Sequence, residues 1–196
     1  MTWDREKPDE AIISKNKELI DQFPWMEITN IYTGEGFEGE TKYYLSLWNE
    51  FDDSGWKDIW HVFLMKVAEE WKTWDEESKK AFRLYDAKEK YGKLRVSFSR
   101  TNDVIDNLKY ALEETSNYTC ILCGKQPRDS RDNRIIWIAK NWRAPYCKPC
   151  AKSKIPYKKK LNLCYDRCTH RGPFKFKRYD PEKGISTYTL PDLERF

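Results

Sequence analysis

The residues best placed to do chemistry are four cysteines in two pairs, Cys120-Ile-Leu-Cys123 and Cys147-Lys-Pro-Cys150. Two Cys-x-x-Cys pairs, each in a tight turn, deliver four soft thiolates to one point, the ligand set of a tetrahedral zinc ion. Gly124 follows the first pair, where a knuckle turn wants a residue that tolerates positive φ. Two disulfides, or four free thiols, are the competing reading of the same residues. A four-cysteine site is closed and keeps no position for water, so an ion held here folds the chain and catalyses nothing.

Short elements must position these pairs. Arg134-Ile-Ile-Trp-Ile-Ala-Lys-Asn-Trp142 reads as a β-hairpin with its turn near Lys140-Asn141, and Ala151-Lys-Ser-Lys154 reads as the start of a short helix. Knuckle, hairpin, then a knuckle running into a helix is the order of a treble-clef finger, with a zinc ribbon as the nearest alternative.

A second group, Cys164, Cys168 and His170, could supply three ligands of a further zinc ion, with His61 or a carboxylate as the fourth. Thiols without a metal beside a structural histidine are the plainer reading. His61 and His170 are the chain's two histidines, and neither lies between Cys120 and Cys150. A ββα-metal nuclease needs a histidine base near its finger, and a serine or cysteine nucleophile needs one beside it. A non-enzymatic protein is therefore expected, with a metal-dependent nuclease as the third choice of function.

The formal charge of +4 hides a segregation. Residues 1–119 hold 17 Lys and Arg against 25 Asp and Glu, a balance of −8. Residues 120–150 stand at +5, 151–180 at +8 and 181–196 at −1. The basic back could meet phosphate, and the acidic front would repel it. Lys158, Lys159, Lys160, Arg167, Arg171, Lys175, Lys177 and Arg178 are interleaved with rings such as Phe174 and Phe176. That pattern suits phosphate contact with base stacking on DNA or RNA; a solvated basic face is the plain alternative. Nine Trp in 196 residues either build the core or leave rings for binding.

No apolar run approaches the ~18–20 residues that span a membrane, and the charged N-terminus lacks the apolar core of a signal peptide. The expected compartment is the cytoplasm, where cysteines serve as ligands or thiols.

The periodicities predict an α+β fold, a small antiparallel sheet with packed helices plus the treble-clef-like finger. Helices are expected over about 9–22, 56–73 and 103–115. The second of these would bury Ile59, Trp60, Phe63, Leu64, Val67 and Trp71, with Ser54 or Asp53 as its cap; the third would bury Val104, Ile105, Leu108 and Leu112. Residues 81–87 and 94–100 alternate as a hairpin with Gly92 in the turn. Residues 25–33 and 43–48 read as β-prone pieces around an acidic loop, Gly34-Glu-Gly-Phe-Glu-Gly39. Its glycine spacing fits a phosphate loop, but its glutamates do not, so that reading is rejected. Three segments follow: an acidic α+β domain over 1–118, the finger over 119–155, and a basic aromatic extension over 156–196.

Asp53-Ser-Gly55-Trp56, then Ala87-Lys-Glu-Lys-Tyr-Gly-Lys-Leu-Arg95, then a helix and Cys120-Ile-Leu-Cys123-Gly-Lys together resemble a set of uncharacterised phage and prophage proteins. Those proteins carry a Gly-Trp helix, a Lys-Glu-Lys-Phe/Tyr-Gly-Gly-Leu-Arg hairpin and a finger that closes with Cys-x-x-Cys. The resemblance covers roughly residues 45–152. It departs at Lys93, where the family favours a second glycine, and does not reach the basic tail. It implies a phage origin, hence a host cytoplasm, and a zinc-bound fold, but no activity. With that origin, the preferred function is docking on a host protein or nucleoprotein complex that handles nucleic acid, such as a defence complex. Direct binding of DNA or RNA by the basic back is the alternative.

Overall fold

The computed structural model describes residues 10–30, 32–44, 51–139, 144–153, 165–170, 175–180, 184–189 and 193. Its helices are α1 (Glu10–Gln22), α2 (Thr41–Tyr44), α3 (Lys57–Lys72), α4 (Glu76–Ala81), α5 (Asp103–Asn117) and α6 (Lys148–Ser153). Its strands are β1 (Leu84–Lys90), β2 (Lys93–Phe98), β3 (Arg134–Ala139), β4 (Pro145–Tyr146), β5 (Tyr165–His170), β6 (Lys175–Asp180) and β7 (Gly184–Thr189). All pairings are antiparallel: β1 with β2, a sheet in the order β4-β3-β5, and β6 with β7. The α+β reading holds at this level.

The core lies where α3 and α5 meet β2. Ile59, Trp60, Phe63, Leu64 and Val67 of α3 are buried, as are Ile105, Leu108 and Leu112 of α5. Val104 is not: at 47% exposure it falls outside the 105–108–112 stripe that α5 turns inward. Rings fill much of the interior. Phe82 stacks on Phe98 with centroids 4.8 Å apart and meets Trp74 edge-on at 5.1 Å, while Trp25 lies 5.2 Å from Trp71. Each fully buried large side chain contributes roughly 1.5–3 kcal/mol. Trp25, Trp56 and Trp60 are fully buried, and no tryptophan stands among the exposed large hydrophobics of the described residues. Trp25, Trp56 and Trp60, with Trp71 and Trp74 packed against them, are core rather than binding surface.

The hairpin is shifted and tightened relative to expectation. Asp75 accepts from the Ser78 amide at 2.7 Å and caps α4, which runs through Ala81. Acids in its first turn and lysines in its last suit the helix dipole. Strand β1 therefore begins at Leu84 rather than at residue 81. It continues to Lys90, leaving a two-residue turn in which Tyr91 (φ 57°) and Gly92 (φ 82°) are both left-handed.

Residues 25–44 do not form the expected strand pieces. Pro24 opens a 3₁₀ turn, Pro24–Met26, that drops Trp25 and Met26 into the core. The Asn30 side chain then accepts from the amides of Tyr32 and Thr33, curling the chain into a loop with a bridge between Thr29 and Gly36. Tyr43 belongs to α2, whose backbone the Asn16 side chain holds by donating to the Tyr43 carbonyl at 2.6 Å. Residues 45–48 lie outside the described residues.

The expected cap of α3 also takes another form. Ser54 Oγ accepts from the Trp56 amide at 3.0 Å, while Asp53 faces Lys15 at 3.9 Å. Asn102 caps α5, its side chain accepting from the Ile105 amide.

Candidate metal centre

The first knuckle turns because its backbone closes on itself. The Cys120 amide donates to Lys125 O at 2.9 Å, the Gly124 amide donates to Cys120 O at 2.9 Å, and Gly124 sits at φ 71°. The second pair follows β4 directly: Cys147 comes after Tyr146, and α6 starts at Lys148 and carries Cys150. The Ile121 amide donates to Pro145 O at 3.0 Å, which clips one knuckle to the strand that leads into the other. β3 pairs with β4, Trp137 opposite Tyr146 and Ile138 opposite Pro145, so the second strand lies at Pro145–Tyr146, beyond the expected 134–142 hairpin. The connecting residues 140–143 lie outside the described residues.

These elements bring Cys120, Cys123, Cys147 and Cys150 together with all four sulfurs within 4.8 Å of one another. The Cys123 and Cys147 sulfurs are 3.6 Å apart, and all four thiols are free of disulfide bonds. Metal–sulfur bonds of about 2.3 Å in a tetrahedron place sulfurs ~3.8 Å apart, so the cluster has the size of a metal site. Cys120 and Cys147 are buried, Cys150 is half-buried and Cys123 is exposed.

Electrostatics orders the thiols. Burial pushes Cys120 up, and burial followed by hydrogen bonding with Cys147 and Cys123 pushes Cys150 well above the usual thiol range. Burial also acts to raise Cys123, but the Lys125 amide and the neighbouring thiols outweigh it and hold that thiol below the usual value. Four adjacent thiols do not all ionise unaided; a cation at their centre removes the obstacle.

Two supports of the site were not foreseen. Gly55, which precedes α3, lies against the knuckle: its amide donates to Ile121 O at 2.7 Å, and a Cβ there would meet Cys120 O at 2.2 Å. Trp56 follows, and its indole N–H donates to Thr119 O at 3.1 Å. The Gly-Trp dipeptide was a sequence signal, but its partner is 63 residues away and only the fold reveals it. Asp129 is the other support. Its carboxylate accepts from the amides of Arg131 and Asn133 and from the Asn133 side chain, which knots the loop between the first knuckle and β3.

The remaining site residues fare differently. Cys164, Lys158, Lys159, Lys160, Arg171 and Phe174 lie outside the described residues. Cys168 and His170 occupy β5, in register with Ile136 and Arg134, and Arg167 stands opposite Trp137. Lys175, Phe176, Lys177 and Arg178 occupy β6, opposite Thr189, Tyr188, Thr187 and Ser186 of β7. His61 hydrogen-bonds Asp52 at 2.7 Å, and among the described residues the four-cysteine group is the one cluster that could hold a metal. No helix among the described residues is long and apolar enough to cross a membrane.

Comparison with protein-family models, with curated proteins and with solved structures finds no match for this chain.

Proposed function

We propose that this is a non-enzymatic zinc protein whose ion is structural and whose basic C-terminal half binds nucleic acid. In this reading Cys120, Cys123, Cys147 and Cys150 hold zinc, the finger is a treble clef, and the ion supplies folding energy rather than chemistry. The observation that carries the reading is the pairing of β5 with β3. It adds the first strand of the basic tail to the finger's own sheet and brings Arg167 into the row of Trp137 and Tyr146. The finger contributes further exposed cations, Lys125, Arg128, Arg131, Lys148 and Lys152. Cations close in sequence to paired strands that carry rings suit single-stranded or structured nucleic acid.

Mobility-shift titrations over a range of salt test this. Binding should weaken steeply with salt, and charge reversal of Lys158, Lys159 and Lys160 should weaken it further and flatten the salt slope. Wild-type protein that leaves DNA and RNA unshifted at low salt would overturn the reading.

A second reading, docking on a host protein that handles nucleic acid, is favoured by the front half. Glu35, Glu38 and Glu40 are all exposed on or beside the glycine loop, an anionic edge suited to a basic groove. It predicts no nucleic-acid shift and co-purification of a defined host factor that is lost when these glutamates become lysines.

A further inference from the structure

The front half carries a net charge of −8, yet one face of its hairpin is cationic. Lys88 stands directly opposite Arg95 across the ladder, and Lys90 directly opposite Lys93. Facing like charges destabilise a strand pair. The apolar packing of the same strands comes from their inner face, Leu84, Ala87, Leu94 and Val96, and does not call for them. Functional surfaces are where such local rules are expected to break.

Neighbouring acids offset some of this charge. Asp86 pairs with Lys88, Glu114 with Lys93, and Asp106 with Lys109 at 3.0 Å. The offset is incomplete. Lys90 has no carboxylate partner among the described residues and lies 5.8 Å from the Tyr91 ring. Glu113 approaches Arg95 Nε only to 3.6 Å, and that nitrogen is sealed from solvent without a hydrogen-bond acceptor. Between this face and α5 runs a cleft of about 350 Å³. Lys88, Lys90, Arg95 and Lys109 line it against Asp86 and Glu113, a surplus of two positive charges, and Tyr110 forms part of its wall. Tyr110 is 40% exposed, and Tyr85 and Tyr91 of the hairpin are exposed further.

We propose that this cleft binds a nucleotide unit, its phosphate held by Lys88, Lys90 and Arg95 and its base laid on Tyr110. Cations that face one another across a ladder can share one phosphate, which turns their repulsion into a binding contribution. Rings beside cations are the pairing that nucleotides select, and the volume falls within the range of small-ligand pockets. The unit can come from a free nucleotide or from a nucleic-acid strand. The site shares no residue with the basic tail, so it stands or falls separately from the tail's role.

The test uses the full-length, metal-loaded protein and two probes, ADP and a short fluorescein-labelled oligothymidylate. Amide shifts on titration should map to residues 88–95 and to Tyr110. The Lys88→Glu/Lys90→Glu variant should bind about tenfold or more weakly. For the strand, its slope of log K against log salt should fall by about 1.4, ~0.7 for each lost contact. Both lysines are exposed, so far-UV circular dichroism and metal content should match the parent; if they do not, Lys90→Ala is the substitute with the same expected direction. Shifts with ADP alone identify a free nucleotide and overturn the tail reading while this one stands. Strand binding that is unchanged in the variant, with no shifts on the hairpin, overturns this inference and leaves the tail reading intact. Absence of both ADP and strand binding overturns both.

Discussion

Gly55 and Gly124 touch backbone to backbone: a Cβ on Gly55 would stand 2.3 Å from the Gly124 nitrogen and 2.7 Å from that of Cys123. The entry to α3 and the first metal knuckle therefore occupy one packed unit. No side chain fits at Gly55 unless backbone moves, and the backbone in question positions two cysteines. Gly55→Ala should destabilise the protein by about 3 kcal/mol or more, at or beyond the upper end of ordinary overpacking, and should loosen metal retention with it. Gly36→Ala is the control, since its Cβ would meet only the Glu27 carboxylate at 3.5 Å, an ordinary contact. Urea titrations of the two variants should separate clearly, and equal midpoints would refute the docking.

Metal removal should act on the same unit. With no cation, the knuckles keep a handful of backbone hydrogen bonds and a tight cluster of thiols. Binding energies of structural zinc sites are on the order of 10 kcal/mol, far above what those contacts supply. A strong chelator should therefore unfold residues 119–153, and Cys120→Ser or Cys147→Ser should do so without a chelator. Hydrogen exchange of β3 and β4 amides reports this directly. Mass spectrometry of the native protein should find one zinc per chain; a second equivalent would place an ion at Cys164, Cys168 and His170.

The pH dependence of metal binding follows from the thiols. Cys120 and Cys150 are held above the usual thiol range by burial, so without a cation they keep their protons at neutral pH. A dication must displace those protons, and protons compete with it. Apparent affinity should rise with pH through the neutral and mildly alkaline range and fall on acidification, with proton release on binding. Cys123, held below the usual value, ionises ahead of Cys120 and Cys150 and contributes less to the slope than they do. Competition with a chromophoric chelator at several pH values measures the effect, and a flat profile would argue against thiolate ligation.

What was legible in the sequence was what depends on neighbours along the chain. The Cys-x-x-Cys spacing and the α3 stripe each need only a few consecutive residues, and each formed as expected except that Trp71 of the stripe is half-buried. The shifted start of β1 shows a local signal losing to a stronger one: Phe82 fits the strand alternation, but the Asp75 cap drives α4 through Ala81. Residues 25–33 look β-prone and aromatic, yet Trp25 is drawn into the core from a 3₁₀ turn, a tertiary demand that no window of sequence displays. The seat of Gly55 on the knuckle and the pairing of β3 with β5 are long-range in the same way. Periodicity can nominate a strand but cannot name its neighbour.

Two buried indoles allow the joint between α3 and the finger to be weighed directly. Trp56 and Trp60 are both 0% exposed and sit one helical turn apart. Trp56 Nε1 donates to Thr119 O, next to the first cysteine, whereas Trp60 Nε1 is buried with no acceptor among the described residues. Replacing either by Phe removes similar volume from a packed core. At position 56 the change also deletes a buried hydrogen bond to the knuckle; at position 60 it removes an N–H whose desolvation was uncompensated, which offsets part of the cavity term. Trp56→Phe should therefore be the more destabilising by about 1–3 kcal/mol in chemical denaturation, and it alone should weaken metal retention. Equal losses, or weakened metal retention in Trp60→Phe, would mean that the indole bond does not couple the helix to the metal centre.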